Sequence, residues 1–321
     1  MLTLGIESTC DETGASVVLD GKTILSNVVA SSAEIHAQYG GVFPELAAQG
    51  QIEAIRPVVE QALAQANVTG QDLDLIAVAK GPGLIGSLLV GLQFAKGLSI
   101  AWDKPLIGVN HVEAHLYAAM TQADVPLPAL GLVLSGGHTL MLLIRNLGDY
   151  TLVGTTRDDA IGEAFDKVGT LLGLKYPGGP EVEKLARQGD PSKIRFSAGN
   201  VKGHPLDFSF SGLKTAVLYA LRDKPVHGPD VAAAFQETAF RDVVEKAQAA
   251  MKQFGCKALV LGGGVCNNLR LKELLPNAFY PPKELTLDNA AMIAGLGTAQ
   301  FLRTGTPDSL DLSAMSRIPF V

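Results

Sequence analysis

Short apolar runs separated by polar turns set the rhythm of the first third of the chain. The runs 2-LTLGI-6 and 15-ASVVLD-20 predict strands around the polar turn 7-ESTCDETG-14, and 22-KTILSNVVAS-31 predicts a third. The period then lengthens. The segment 44-PELAAQGQIEAIRPVVEQALAQAN-67 predicts a helix, with breaks expected near Gly50 and Pro57. Residues 74–80 predict a buried strand, 81-GPGLIGSLLVGLQFAKGLSIA-101 a glycine-rich helix, and 106-LIGVN-110 another strand. The pattern then restarts. The runs 129-ALGLVL-134 and 139-TLMLLI-144 flank the turn 135-SGGH-138, a third strand is expected near 150–156, and a helix at 159–174. Further on, 257-KALVLGGG-264 predicts a buried strand ending in glycines, followed by a helical start at 267-NNLRLKELL-275.

A hairpin with a polar turn, a third strand and then a helix thus occurs twice. That order predicts a duplicated α/β chain, two lobes about a central cleft, as in the actin-like, Hsp70-like and sugar-kinase fold. The expected division is residues 1–108 joined by 296–321 for the first lobe, and 109–295 for the second.

Composition narrows the class. The 321 residues are 47% hydrophobic and 18% charged, enough for two sizeable cores. No apolar run approaches the roughly 18 residues of a membrane span, and no basic-then-apolar leader opens the chain. Three cysteines without C-x-x-C spacing speak against a disulfide framework or a thiolate zinc site. A cytoplasmic protein with no membrane partner is expected. The net charge of −6 weighs against nucleic acid, whose binding depends on phosphate neutralisation. The charge is uneven, however. Lys184, Arg187, Lys193, Arg195, Lys202, Lys214, Arg222 and Lys224 face only Asp190, Asp207 and Asp223 over the same stretch. A solvated face and an RNA contact both fit that run.

Candidate chemistry begins with 110-NHVEAH-115. On a helix, His111 and His115 stack one turn apart, the spacing of a metal clamp. Glu113 lies about 200° around the helix from His111, unlike the glutamate of a zinc protease helix. Carboxylates stand in telling places at Asp11, Glu12, Asp166 and Asp288, the last of which, in 287-LDNAAMIAG-295, also reads as a helix N-cap, and one carboxylate with the two histidines would make a mononuclear site. Such a set accepts zinc or ferrous iron. The turns 135-SGGH-138 and 262-GGGVCNN-268 suit an anion or a developing oxyanion, whereas 177-PGGP-180 reads as a tight turn. Rossmann and Walker fingerprints are absent.

Together the motifs GIESTCDETGAS, HAQYGGVFPELA, GPGLIGSLLVGL, GVNHVEAH, LSGGHT, DDAIGEAFDKVG, LGLKYPGGP, DFSFSGLKTAV, GGGVCNN and LDNAAMIA resemble, over roughly residues 2–300, the TsaD family of tRNA N6-adenosine threonylcarbamoyltransferases. The resemblance implies transfer of a threonylcarbamoyl group from threonylcarbamoyl-AMP to N6 of adenosine 37, in tRNAs reading codons that begin with A. It implies His111, His115 and Asp288 as ligands of one divalent metal, ferrous iron favoured and zinc possible. The adenylate would contact Val133, Leu134, Ser135, Gly136, Gly137, Asp166, Gly179, Glu183 and Asn268, with Asp11 and Glu12 assisting proton transfer. Expected partners are tRNA, a TsaB-like paralogue and a TsaE-like ATPase. The chain departs from the family pattern in reading ESTCDET for ETSCDET, Asn267 for a small residue, and Leu287 before the metal aspartate. An actin-fold ATPase or kinase is the alternative, and a metalloprotease a more distant one.

Overall fold

In the computed structural model, residues 1–32, 36, 42–121, 123–223 and 226–320 are described. Residues 37–41 of the HAQYGGV motif and Lys224 lie outside that set. The chain forms two units, residues 1–122 with 287–319, and 123–286 with 320–321.

The sheet of the first unit contains β1 (Leu2–Glu7), β2 (Glu12–Leu19), β3 (Thr23–Ser31), β4 (Leu75–Gly81) and β5 (Leu106–Asn110), in the order β3-β2-β1-β4-β5. β1 runs antiparallel to β2, from Leu2 opposite Leu19 to Glu7 opposite Gly14, and parallel to β4. Its period of two explains its two faces. Leu4 and Ile6 enter a core with Ile55, Val58 and Val59 of α1 (Pro44–Ala66) and with Leu92 and Ala95 of α2 (Ile85–Trp102). Thr3 and Gly5 face the other way, onto α9 (Ala290–Thr304). There the Thr3 and Thr298 hydroxyls meet at 2.7 Å, and a Cβ on Gly5 would strike the Ala290 carbonyl.

Helix α1 runs unbroken through Gly50 and Pro57, contrary to the expected breaks. Burial of Ile55, Val58, Val59 and Ala62 offsets the roughly 3 kcal/mol that an internal proline costs. Helix α2 is long and apolar enough to cross a membrane by length and composition, where no such run was expected. Its Leu88, Leu92 and Ala95 are buried in this unit, while Ile85, Leu89 and Ile100 are exposed. The last segment straps the edge of β5: the Asp308 amide donates to the Leu106 carbonyl, and the Asp308 carboxylate accepts from the Gly108 amide at 2.8 Å.

The boundaries differ from those expected. Helix α3 (His111–Met120) follows β5 directly and packs against α9. Both helices therefore belong to the first unit, and so do His111, His115 and Asp288, which were expected in the second.

The second unit repeats the plan. β6 (Ala129–Leu134), β7 (Thr139–Asn146) and β8 (Asp149–Thr155) form an antiparallel meander, and β9 (Ala258–Gly262) lies parallel to β6, giving the order β8-β7-β6-β9. The helices are α4 (Ile161–Leu171), α5 (Gly178–Ala186), α6 (Ser211–Asp223), α7 (Gly228–Phe254) and α8 (Leu269–Leu274). In the core, the Phe165 ring of α4 packs 4.9 Å from Phe235 and 5.3 Å from Phe240 of α7. Residues 177–180 open α5 rather than forming a bare turn.

Candidate functional site

Asn110 ends β5 and caps α3, its side chain accepting from the Val112 and Glu113 amides. The helix therefore begins at His111, which sets His111 and His115 one turn apart, both buried, with ring centroids 4.6 Å apart. Asp288 meets them from the segment before α9. Its Oδ1 lies 3.1 Å from His115 Nε2 and 3.6 Å from His111 Nε2. Asp288 does not cap α9, as one reading of the sequence had it. Asn289 does so, its side chain accepting from the Met292 amide, which leaves the preceding carboxylate to face the histidines.

Behind His111 stands Glu7, fully buried. Its Oε2 lies 3.0 Å from His111 Nδ1, and its Oε1 accepts from the Thr9 amide at 2.6 Å. With Nδ1–H donated to Glu7, the Nε2 lone pair of His111 points at the Asp288 oxygen. Two electron-rich groups so placed call for positive charge between them. Burial alone would depress the His111 pKa, but Glu7 and Asp288 outweigh it and push it up to about 9. One donor atom from each of His111, His115 and Asp288 lies within 4.8 Å of the others. Two ligands at about 2.1 Å from one ion stand about 3.0–3.4 Å apart; the 3.1 and 3.6 Å separations from Asp288 match that spacing, and the remaining pair has to draw together around an ion.

The turn carrying Asp11 and Glu12 belongs to the same unit. Ser87 and Gln51 both donate to the Cys10 carbonyl, and Gln51 also to that of Glu12, each at 3.0 Å. The Glu12 carboxyl is pushed up to about 10, first by burial, then by Asp288 and Asp11. Glu113, turned toward Lys80 and Arg303, is raised to about 7, chiefly by burial.

The second unit holds the remaining predicted residues. The turn after β6 is closed by the Ser135 amide donating to the His138 carbonyl at 2.8 Å. Gly136 and Gly137 are exposed, and a Cβ on either would meet open space. Val133 and Leu134 have buried side chains and pair with β7, so they support this turn from below. Asp166 Oδ1 accepts from the Gly178 and Gly179 amides at 2.7 and 3.2 Å, fixing the start of α5. Glu183 Oε1 accepts from the Leu269 amide and from Arg187. Asn268 caps α8 and donates to Gln236 Oε1 at 2.8 Å. Beside these groups lies a cavity of about 490 Å³, lined in part by Glu183, Arg187, Gln236, Leu269 and Arg270. That volume suits a nucleoside-sized ligand.

The model of the TsaD family, tRNA N6-adenosine threonylcarbamoyltransferase, matches residues 23–295. The chain belongs to this family. A tRNA N6-adenosine threonylcarbamoyltransferase of Protochlamydia amoebophila is 55% identical, covering 99% of this chain and 98% of its own length. One from Chlamydia felis is 50% identical over 99% and 96%. Among solved structures, T. kodakarensis HypF superposes with TM-score 0.64 at 17% identity, over 95% of this chain and 48% of HypF. The Acidaminococcus fermentans (R)-2-hydroxyglutaryl-CoA dehydratase component A does so at 0.57 and 15%, over 94% and 98%. These likenesses concern the fold, which is the duplicated actin-like, Hsp70-like and sugar-kinase one.

In this TsaD chain the structure brings His111, His115 and Asp288 together in one unit, with Asp11 and Glu12, and in the other sets Glu183 in the lining of the cavity and Asn268 against Gln236, which also lines it. Sequence reasoning missed Glu7, Gln51, Gln236 and Arg270. Glu7 was open to discovery, because a metal-ligating imidazole needs an acceptor on its other nitrogen and Glu7 opens the ESTCDET turn. Gln51 and Gln236 sit inside long helices with nothing local to mark them.

Proposed function

We propose that this chain transfers the threonylcarbamoyl group from threonylcarbamoyl-AMP to N6 of adenosine 37, in tRNAs reading codons that begin with A, releasing AMP. The observation that carries the reading is the His111–His115–Asp288 cluster with Glu7 behind it, in a TsaD family chain. The adenine N6 attacks the carbamoyl carbon, the bond from that carbon to the AMP phosphate oxygen breaks, and N6 loses one proton.

In the first unit, His111, His115 and Asp288 would hold a divalent metal, ferrous iron or zinc. Such an ion supplies a Lewis acid for an oxygen of the acyl phosphate. Glu7 keeps the His111 proton on Nδ1 and its lone pair on Nε2. Asp11, in the turn between β1 and β2, and Glu12, which opens β2, would assist removal of the proton from N6. Gln51 holds the backbone on both sides of Asp11. Glu113 is spent on the far side of α3, which removes the base a metalloprotease would need.

In the second unit, the exposed amides of Gly136 and Gly137 offer donors to a phosphate or carbonyl oxygen. Asp166 organises the Gly178–Gly179 turn, Glu183 borders the cavity that takes the adenosine, and Asn268 holds Gln236 in its lining. A tRNA substrate places the work in the cytoplasm, with a TsaB-like paralogue and a TsaE-like ATPase as partners.

The test is a metal-replete assay with threonylcarbamoyl-AMP, unmodified tRNA and the partner proteins, reading modified adenosine in the digested tRNA by mass. Product from the wild type that is lost in His111→Ala is expected. No product from the wild type would overturn the transferase reading. Product undiminished in His111→Ala would overturn the role of the cluster.

A further inference from the structure

Between α5 and α6 of the second unit, residues 187–210 cross the surface without helix or named strand. An irregular stretch longer than about 12–15 residues inside a compact unit is usually functional. This one is pinned at both ends. At its start, the Asp190 amide donates to Asp230 of α7, and Gly189 lies so close to Pro229 that a Cβ would overlap its carbonyl. At its end, the Phe208 amide donates to the Thr155 carbonyl of β8, and the Arg157 amide donates to the Phe208 carbonyl.

Between these anchors the chain alternates. Ile194 and Phe196 pack against the core of the unit, while Lys193, Arg195 and Ser197 are exposed. Lys202 is exposed in the turn beyond them. Among the described residues, Lys193, Arg195 and Lys202 form no ion pair, whereas the neighbouring Arg187 and Lys214 are engaged by Glu183 and Asp159. The result is three exposed cations outside any ion pair, with Lys193 near the Asp190 carboxylate, on a backbone that apolar anchors hold in place, in a protein whose net charge is −6. The segment also begins at the nucleoside-sized cavity, whose lining includes Gly189 and Pro191.

Building on the transferase reading, we propose that residues 193–202 are a docking rail for the tRNA phosphate backbone, with Lys193, Arg195 and Lys202 as the phosphate contacts. An acidic protein that binds RNA must concentrate its free cations, because phosphate neutralisation with counterion release supplies most of the affinity. Anchoring by Ile194 and Phe196 spares the cost of ordering the segment at each encounter. The rail reads charge and spacing rather than bases, so it serves different tRNAs equally.

The test compares wild type with the triple variant Lys193→Ala/Arg195→Ala/Lys202→Ala in the presence of the partner proteins. As a control, Lys252→Ala/Lys257→Ala removes two exposed lysines of the same unit outside the segment. Binding of unmodified tRNA is measured across a salt series. Each lost phosphate contact lowers the slope of log affinity against log salt by about 0.7–0.9, so the triple variant is expected to lose about 2.1–2.7. At 0.1 M salt its affinity falls on the order of 10- to 100-fold. In turnover, KM for tRNA rises while kcat and KM for threonylcarbamoyl-AMP hold, and the control behaves as wild type. An unchanged slope in the triple variant, or an equal loss in the control, overturns the rail. Binding needs no turnover, so the two readings fail separately. A chain whose tRNA binding depends on the segment but which makes no product keeps the rail and loses the transferase.

Discussion

Replacing Glu7 by glutamine changes one buried oxygen to an amide nitrogen, and the geometry around it predicts a weaker metal site. Oε1 accepts from the Thr9 amide at 2.6 Å, and Oε2 faces His111 Nδ1 at 3.0 Å. If the glutamine oxygen keeps the Thr9 bond, its NH2 group meets Nδ1 and donates to it. The His111 proton then sits on Nε2, the atom 3.6 Å from Asp288 Oδ1, and the ring loses the lone pair it would offer a metal. If the amide turns over, its NH2 group confronts the Thr9 N–H in a fully buried place, at a cost of about 1–3 kcal/mol. Both orientations cost affinity. Loss of such an outer partner weakens metal binding by about 10- to 100-fold, which corresponds to about 1.4–2.7 kcal/mol. The assay is competition for zinc between the apo protein and a fluorescent zinc indicator, with metal-free Tm recorded alongside to detect a folding defect. Glu113→Gln, on the face turned toward Lys80 and Arg303, is the control and keeps wild-type affinity. A folded Glu7→Gln protein with wild-type zinc affinity would refute the assignment of His111 as a ligand oriented by Glu7.

Three further substitutions probe the scaffold. Gly5→Ala drives a methyl group into the Ala290 carbonyl and to within 2.8 Å of the Ala294 amide, so α9 must shift. Thermal unfolding should show a loss of about 1–3 kcal/mol, and zinc competition a weaker site, because Asp288 leads into that helix. Asp158→Ala removes a carboxylate that accepts from the Phe210 and Ser211 amides and from the Ser209 and Ser211 hydroxyls, costing about 1–2 kcal/mol. Burial pushes the Asp158 carboxyl up, but these donors outweigh it and hold it below its ordinary value. Its contribution is therefore complete above that value and lost as pH falls through the lowered one, so urea titrations should show the gap between wild type and Asp158→Ala closing below about pH 4. Gln51→Ala removes a donor from the Glu12 carbonyl and one of two from the Cys10 carbonyl, where Ser87 remains, so urea unfolding should register about 1–3 kcal/mol. It should also lower kcat by loosening the Asp11 turn.

Much of this was legible in the chain. The duplicated hairpin, third strand and helix appear in both sheets, because alternation over short runs is a local property that pairing preserves. His111 and His115 were legible for the same reason, their relation being fixed within one helical turn. Asp288 was ambiguous because it and Asn289 are both capping residues, and only the direction of α9 decides which one caps. The unit boundary was misplaced because α9 returns to a sheet made of residues far earlier in the chain, a contact no local pattern announces. Helices α5, α6 and α7 went unread, although their buried positions follow helical spacing in α5 and α7, because the stretch before them is dominated by glycine, proline and charge.

That return of the chain has a consequence for biosynthesis. The second unit is nearly contiguous, residues 123–286, and every strand and helix it needs has been synthesised before Leu287 is added. The first unit begins earlier but waits longer. Its sheet lacks a cover over Thr3 and Gly5, and its histidines lack their carboxylate, until Asp288 and the helix behind it emerge. A growing chain therefore carries the whole of its later unit before it has the carboxylate and the helix that its earlier unit needs, and an ion can be captured only once Asp288 is in place.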